Sequence, residues 1–198
     1  MKLRYAWLAA AALLSAGCGK EERMEAVRFD KVLIQQKAAF AESNAQEKDF
    51  VSGVRSWSTA ISTGGGGVGA QLDQNVSIAQ DLVKSAAAVS AEVGLVRQAV
   101  YDQPVKKEFT QGVRNSLIGE LTRRQRFLQD IRSALQETAV AFDGFRQSRD
   151  YKGDTYPAGI EKLNRILGSY KEPTDAVGDA VAALTAKYNI KDTDLGAS

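Results

Sequence analysis

The sequence has no histidine, one cysteine and three prolines, and it lacks long runs of alternating β-branched residues. Without histidine, the chain cannot form Ser-His or Cys-His nucleophile pairs, His-ligated zinc or haem sites, or the Glu-x-x-His sites of di-metal helical bundles. A single cysteine excludes an intramolecular disulfide. The densest acidic pair in a loop, Asp192 and Asp194, lacks the glycine and the final glutamate of an EF-hand. We therefore predict a non-enzymatic protein that binds no cofactor and no metal.

The first 18 residues are organised like a bacterial export signal. Lys2 and Arg4 precede an apolar stretch of about ten residues, roughly half the length that a membrane-spanning helix needs. Small residues then lead to Cys18, and the string LSAGC at positions 14–18 resembles the lipobox of bacterial lipoproteins. This resemblance implies cleavage before Cys18, lipid attached to its sulfur through a thioether, and anchoring of the mature chain to a membrane. The alternatives are an ordinary cleaved signal, or a membrane anchor in which the cysteine is incidental.

The residue after the cysteine bears on which membrane would hold the protein. Gly19 stands where aspartate is the inner-membrane signal in the lipoprotein sorting rule of enteric bacteria. The resemblance therefore implies the periplasmic face of the outer membrane, if the host has one. A tether of five residues, 19–23, reaches only about 17 Å when fully extended, so we expect the folded domain to lie close to the membrane.

The charge balance argues against a nucleic-acid partner. Removal of Lys2 and Arg4 with the leader reduces the 26 basic residues to 24, which equals the number of acidic residues. Nucleic-acid-binding domains need a clustered basic face. The strongest basic cluster is Arg123, Arg124 and Arg126, and acidic residues at 120 and 130 stand at helical spacing from it. We expect local ion pairs there rather than an anion site.

Apolar residues alternate at spacings of four and three through four successive segments, which is typical of long helices with a coiled-coil-like seam. These segments cover about 29–61, 72–100, 105–149 and 160–188, with Pro157 in a first helical turn. The last seam keeps its phase across Pro173, so we expect there either two nearly collinear helices or one helix with a kink. We predict an all-α fold, an antiparallel up-down four-helix bundle with long helices. The divisions are a cleaved leader (1–17), a lipidated N-terminus and tether (18–23), the bundle (24–190) and a flexible tail (191–198).

A glycine run, GGGGVG at 64–69, fits the pattern G-x-G-x-x-G and precedes a helical segment. The dinucleotide fingerprint requires a preceding strand, whereas a long helical segment precedes this run. A P-loop would continue with Gly-Lys-Ser or Gly-Lys-Thr, but Ala70 and Gln71 follow Gly69. We predict a flexible loop between two helices.

Four polar residues fall on the otherwise apolar seams in positions that the fold would bring together. Folding the chain about Gly66 places Ser43 level with Ser90, and folding it again near residue 103 brings Glu47 within about one helical turn of Arg124. An unpaired buried charge costs several kcal/mol, so we predict that Glu47 and Arg124 pair or reach water. This candidate polar layer either fixes the helix register or holds a small polar ligand.

A second candidate layer contains Gln36 and Arg97. The same fold about Gly66 places these two residues level with each other. Their long side chains could also extend to the surface, in which case they would form no interior layer.

Three functions are compatible with these features. The first is an envelope lipoprotein whose helical faces bind a protein partner or organise the cell envelope, held on the membrane through Cys18. The second is a membrane-tethered binder of a small or lipidic ligand inside the bundle. The third is an extracytoplasmic sensory module, which the absence of a transmembrane segment to carry a signal makes less attractive.

Overall fold

The computed structural model of the chain is all-α over the residues it describes. It describes residues 4–63, 71–148 and 156–196, with side chains described for 19–63, 71–148 and 159–196. Where we predicted four helices, the described ranges contain six and no strand. They are α1 (Arg4–Thr63), α2 (Leu72–Tyr101), α3 (Glu108–Ser148), α4 (Tyr156–Gly168), α5 (Ala176–Tyr188) and α6 (Asp192–Leu195). Within these helices, no described segment is apolar enough over a sufficient length to cross a membrane.

The first helix begins earlier than the seam pattern indicated. α1 runs without a break from Arg4 to Thr63, so the predicted tether at 19–23 is helical. Five helical residues span about 7.5 Å, less than half the reach of an extended tether. The tether residues Lys20, Glu21, Glu22 and Arg23 are polar but good helix formers, and nothing in their sequence interrupts a helix. The glycine run at 64–69 and the turn predicted at 151–155 lie outside the described residues.

The last predicted segment forms two helices, which is one of the two alternatives that Pro173 left open. α4 begins at Tyr156, which places Pro157 in its first turn, and it ends at Gly168. α5 begins only at Ala176, because Pro173 has no N–H to donate and disfavours the helical conformation of the residue before it. Asn189 then ends α5 in a left-handed conformation (φ 49°), with its N–H donated to the carbonyl of Thr185.

The predicted flexible tail has a defined structure up to Gly196. Ile190 is 6% exposed, and the short helix α6 follows it. Asp194 in α6 accepts hydrogen bonds from the N–H of Lys191 and from the guanidinium of Arg23. The hydrogen bond from Arg23 joins residues far apart in the chain, which is why the polar composition of the tail gave no sign of it.

The chain divides into two compact units. Unit 1 comprises Met1–Ala38, Gln98–Gly119 and Asp175–Ser198, and unit 2 comprises Ala39–Arg97 and Glu120–Thr174. Each unit has its own apolar core, made largely of the predicted seam residues. The core of unit 1 includes Ala26, Phe29, Leu33, Val100, Val105, Leu117, Val177, Leu184 and Ile190. The core of unit 2 includes Phe40, Phe50, Val54, Trp57, Leu72, Val76, Val93, Leu121, Leu128, Ile131, Leu135, Phe142, Leu163 and Leu167.

Candidate functional site

A buried ion pair lies within unit 2. The Nε of Arg124 on α3 donates to the Oε2 of Glu47 on α1 at 2.7 Å, and each side chain is 1% exposed. The Nη2 of Arg124 also lies 3.5 Å from the carbonyl oxygen of Ser43, and its guanidinium carbon lies 5.1 Å from the ring centre of Phe40. The charge of Arg124 is therefore surrounded by a carboxylate, a carbonyl and an aromatic face.

Helical spacing explains why these polar side chains are buried. Ser43 and Glu47 stand on the same face of α1 as Phe40 and Phe50, at steps of three and four residues. The hydroxyl of Ser43 donates to the carbonyl of Phe40 at 2.9 Å, which satisfies it within its own helix. Arg124 stands on the inner face of α3, three residues after the buried Leu121. Packing of the two apolar faces therefore brings the charged groups inside.

Burial and pairing act in opposite directions on Glu47. Removal from water raises the pKa of Glu47 above its ordinary value, and the charge and hydrogen bond of Arg124 pull it down in part. Guanidinium groups stay protonated in proteins, so the site holds a permanent positive charge facing a carboxyl group. Loss of either partner would leave the other charge buried and unpaired.

Three buried polar atoms of unit 2 have neither a hydrogen-bond partner nor an ion-pair partner among the described residues. They are the Nη1 of Arg124, the hydroxyl of Tyr170 and the Oδ1 of Asn44. Burial, followed by the charge of Glu47, raises the pKa of Tyr170 to about 12, so its hydroxyl stays protonated and remains a donor. The ring of Tyr170 stacks on Phe127 with 5.1 Å between ring centres. The set offers a cationic donor, a hydroxyl and an amide oxygen, all suited to water or a small polar molecule.

The other predicted site residues do not join the ion pair. Ser90 is half-buried, and its carbonyl accepts a hydrogen bond from Gln125 at 3.2 Å. It makes no hydrogen bond to Arg124 in the described part of unit 2. Gln36 belongs to unit 1 and Arg97 to unit 2, and each is half-buried. The second layer stays a prediction.

The basic cluster on α3 divides between surface and interior. Arg123 is exposed and donates to Glu120 at 3.0 Å, the local pairing that the spacing predicted. Arg124 points inward to Glu47, and Arg126 is exposed. The side chains that share one sequence cluster therefore do not share one basic face.

Sequence reasoning missed Asn44 and Tyr170. The spacing places Tyr170 only within the last helical segment, 160–188, and Asn44 directly follows the predicted site residue Ser43. A signal was present, because an aromatic residue with a hydroxyl on a buried seam usually needs a hydrogen-bond partner. The groups around this hydroxyl could not be identified, because they depend on how α4, which ends two residues before Tyr170, lies along α1.

A buried carboxyl group in unit 1 was also missed. Asp30 on α1 is fully buried, and neither of its side-chain oxygens has a partner among the described residues. Desolvation raises its pKa to about 6. Thr110 on α3 is equally buried and its hydroxyl is unpartnered. Asp30 precedes the seam residue Leu33 by three positions, and that spacing could have placed it on the inner face.

No family model, curated protein or solved structure matches the chain. In the described ranges, no group of three or more cysteine and carboxylate side chains is arranged to hold a metal ion. The assignment of function therefore rests on the sequence of the first 18 residues, the buried polar groups and the surface.

Proposed function

We propose that the chain is a lipid-anchored, non-enzymatic envelope lipoprotein whose helical surface binds a protein partner. In this proposal the four helical segments, the last divided into α4 and α5, form an antiparallel up-down bundle. The observation that supports it best is the ion pair between Glu47 and Arg124, at 2.7 Å and 1% exposure. Because these two charges neutralise each other, the buried pair of unit 2 is already engaged, and we assign recognition to the outer faces of the helices.

Anchoring through Cys18 is supported by the basic, apolar and small-residue order of positions 1–18. The test is to express the full chain and its Cys18→Ser variant in a Gram-negative host, label with palmitate and separate the membranes. We expect label and membrane association in the unchanged chain, and loss of both in the variant. Gly19→Asp is the matched control, because it keeps the cysteine and should move the labelled protein to the inner membrane. Membrane association that survives Cys18→Ser would contradict the proposed anchor.

The surface of unit 2 offers a candidate contact for a protein partner. A groove of about 520 Å³ lies between α2 and α3, lined by Gln80, Val83, Lys84, Gln136, Ala139 and Val140. Val140 is 73% exposed and lines the groove together with Val83 and Ala139, so the groove presents apolar surface to the solvent that a bound partner would cover.

A photo-crosslinking amino acid at Val140, in the lipidated chain and native host, tests this surface. We expect one stoichiometric protein adduct from this position and none from the exposed Gln129 of the same helix, which serves as control. The adduct should also disappear when Val83 is changed to Glu, because a charge in the groove opposes burial. Equal labelling from both positions would contradict a specific protein contact there.

The second candidate is a binder of a small polar or lipidic ligand within the bundle. It is favoured by the unpartnered Arg124 Nη1 and Tyr170 hydroxyl. Native mass spectrometry of the purified full chain would show a retained molecule in this case, and Tyr170→Phe should release it while leaving the fold intact. A chain that carries nothing, and whose stability does not respond to Tyr170→Phe, favours the protein-interaction role.

A further inference from the structure

A pocket of about 510 Å³ in unit 1 is formed by the membrane-proximal part of α1 and the loop between α2 and α3. One face of α1 lines it, at the steps of three and four residues that place side chains in one row. The lining residues are Glu21, Met24, Glu25, Arg28 and Phe29 from α1, and Gln103, Pro104, Val105, Lys106 and Lys107 from the loop. Its volume falls within the range of about 300–1,000 Å³ typical of small-molecule sites.

Hydrogen bonds hold the loop in place, so the pocket is preformed. The carboxylate of Glu25 accepts from the backbone N–H of Lys106 at 3.0 Å and of Lys107 at 2.7 Å. On the other side of the loop, Arg114 donates to the carbonyl of Gln103 at 2.7 Å. Binding of a ligand would therefore cost little free energy for ordering this wall of the pocket.

The charges that remain free in the pocket are positive. Glu25 is engaged by the loop backbone, and Glu21 lies 3.4 Å from the ammonium of Lys107. The guanidinium of Arg28 and the ammonium of Lys106 have no hydrogen-bond or ion-pair partner among the described side chains, and both residues are exposed. The pocket thus has two cations available to one anionic group.

Apolar groups stand beside these cations. Met24 is 43% exposed although it is large and apolar, and Phe29, Pro104 and Val105 complete the lining. A guanidinium and an ammonium next to a flexible apolar wall suit an amphiphile with a phosphate headgroup better than a fully hydrophilic anion.

We propose that this pocket binds the headgroup of an anionic phospholipid, with Arg28 and Lys106 on the phosphate and Met24 against the glycerol backbone and first methylenes. The proposal rests on the proposed anchoring, because Glu21 follows Cys18 by three residues, about 4.5 Å along a helix. Lipid attached at Cys18 would keep the pocket at headgroup depth. The headgroup contact would fix how the helical domain stands on the membrane.

Native mass spectrometry of the full-length lipidated protein in detergent tests this proposal, with dimyristoylphosphatidylglycerol, dimyristoylphosphatidylcholine and inorganic phosphate added separately. We expect the phosphatidylglycerol adduct to exceed the phosphatidylcholine adduct about tenfold, because only the former carries an uncompensated negative charge. The double variant Arg28→Gln, Lys106→Gln should lose about tenfold of the phosphatidylglycerol adduct. Changing the exposed Lys37 and Arg132 to Gln is the matched control and should leave the adduct unchanged.

Several outcomes would overturn the assignment. Equal adducts with the two lipids would show that the headgroup charge is not recognised. Inorganic phosphate that displaces phosphatidylglycerol at equal concentration would show a site for the free anion rather than for a lipid. A double variant that keeps the adduct, with an unchanged circular dichroism spectrum, would place the lipid elsewhere. Failure of the Cys18 anchor is detected separately by the fractionation of Cys18→Ser, since adducts formed in detergent do not require that cysteine.

Discussion

Asp30 combines full burial with two unpartnered carboxylate oxygens, and this makes it a source of pH-dependent stability. Its pKa is raised from 3.8 to about 6 in the folded chain. The folded state therefore holds the proton more tightly than the unfolded state between these values. Stability is greatest below the unfolded pKa and falls as pH rises through the folded one, by about 3 kcal/mol for a shift of this size.

We expect Asp30→Asn to remove this loss. In urea unfolding at pH 4.5 and 7.5, the free energy of unfolding of the variant minus that of the unchanged chain should increase as the pH rises. Asp49→Asn, an exposed aspartate on the same helix, is the control and should leave the pH dependence of the unchanged chain intact. A variant with the same pH dependence as the unchanged chain would mean that Asp30 finds water or a cation when it ionises.

The ion pair of Glu47 and Arg124 makes a second prediction at this scale. Glu47→Ala and Arg124→Ala should each lower the free energy of unfolding by about 3–5 kcal/mol, because each leaves a buried charge without its partner. The double variant should lose clearly less than the two single losses together, as measured by urea unfolding in a double-mutant cycle.

The matched control is the pair of Lys162 and Glu137, which has the same 2.7 Å separation but is about half exposed on both sides. Its removal should leave the unfolding transition unchanged within error, because water screens exposed pairs. Additive losses at Glu47 and Arg124 would mean that the two charges do not stabilise each other.

The residues of the buried site were predictable to different degrees. The pairing of Glu47 and Arg124 could be predicted because charged residues on an apolar seam are conspicuous. Folding the chain about Gly66 and again near residue 103 brings the two residues near each other. The unpartnered Oδ1 of Asn44 and hydroxyl of Tyr170 could not be predicted, because a shift of α4 by one helical turn would give Tyr170 a different neighbour.

At the scale of the elements, the N-terminus of α5 depends on one side chain. The Oδ1 of Asp175 accepts a hydrogen bond from the N–H of Gly178 at 3.0 Å, which satisfies one of the free donors of the first turn. We expect Asp175→Ala to cost about 1 kcal/mol of stability.

Thermal unfolding followed by circular dichroism measures this cost. Asp179→Ala is the control, since Asp179 also lies in the first turn of α5 but does not form the cap bond. Equal losses in the two variants would mean that the general charge near the helix end matters, rather than the cap.

The spacing of apolar residues located the long helices but not all of their ends. The alternation of three and four indicates which face is buried, and it keeps its phase across Pro173, so the pattern continues through the break between α4 and α5. The ends are decided by local hydrogen bonds such as the Asp175 cap and by the left-handed Asn189. Tether residues that favour helix allow α1 to start at Arg4, where the seam pattern has not yet begun.

At the scale of the whole chain, contacts within unit 1 connect α1 to the last residues of the sequence. The Nε of Arg23 donates to the carbonyl of Tyr188 at 3.2 Å, and its guanidinium pairs with Asp194. The backbone N–H of Lys191, followed by Arg23, lowers the pKa of Asp194 below its usual range, which keeps the carboxylate charged near neutral pH. A separation of more than 160 residues explains why composition alone predicted a flexible tail.

We expect removal of residues 190–198 from the full chain to destabilise the fold. Ile190 is 6% exposed, and loss of a buried side chain of this size costs about 2–3 kcal/mol through its apolar area alone. Removal of residues 197 and 198 only is the control and should change nothing, since it keeps Ile190, Asp194 and the Gly196 that ends α6. Urea unfolding in detergent compares the three chains. If the chain ending at Asn189 were as stable as the full one, Ile190 and α6 would contribute nothing to the free energy of unfolding. A loss reproduced by Ile190→Ala would show that this apolar contact, more than the partly buried ion pair of Arg23, holds the C-terminal residues within unit 1.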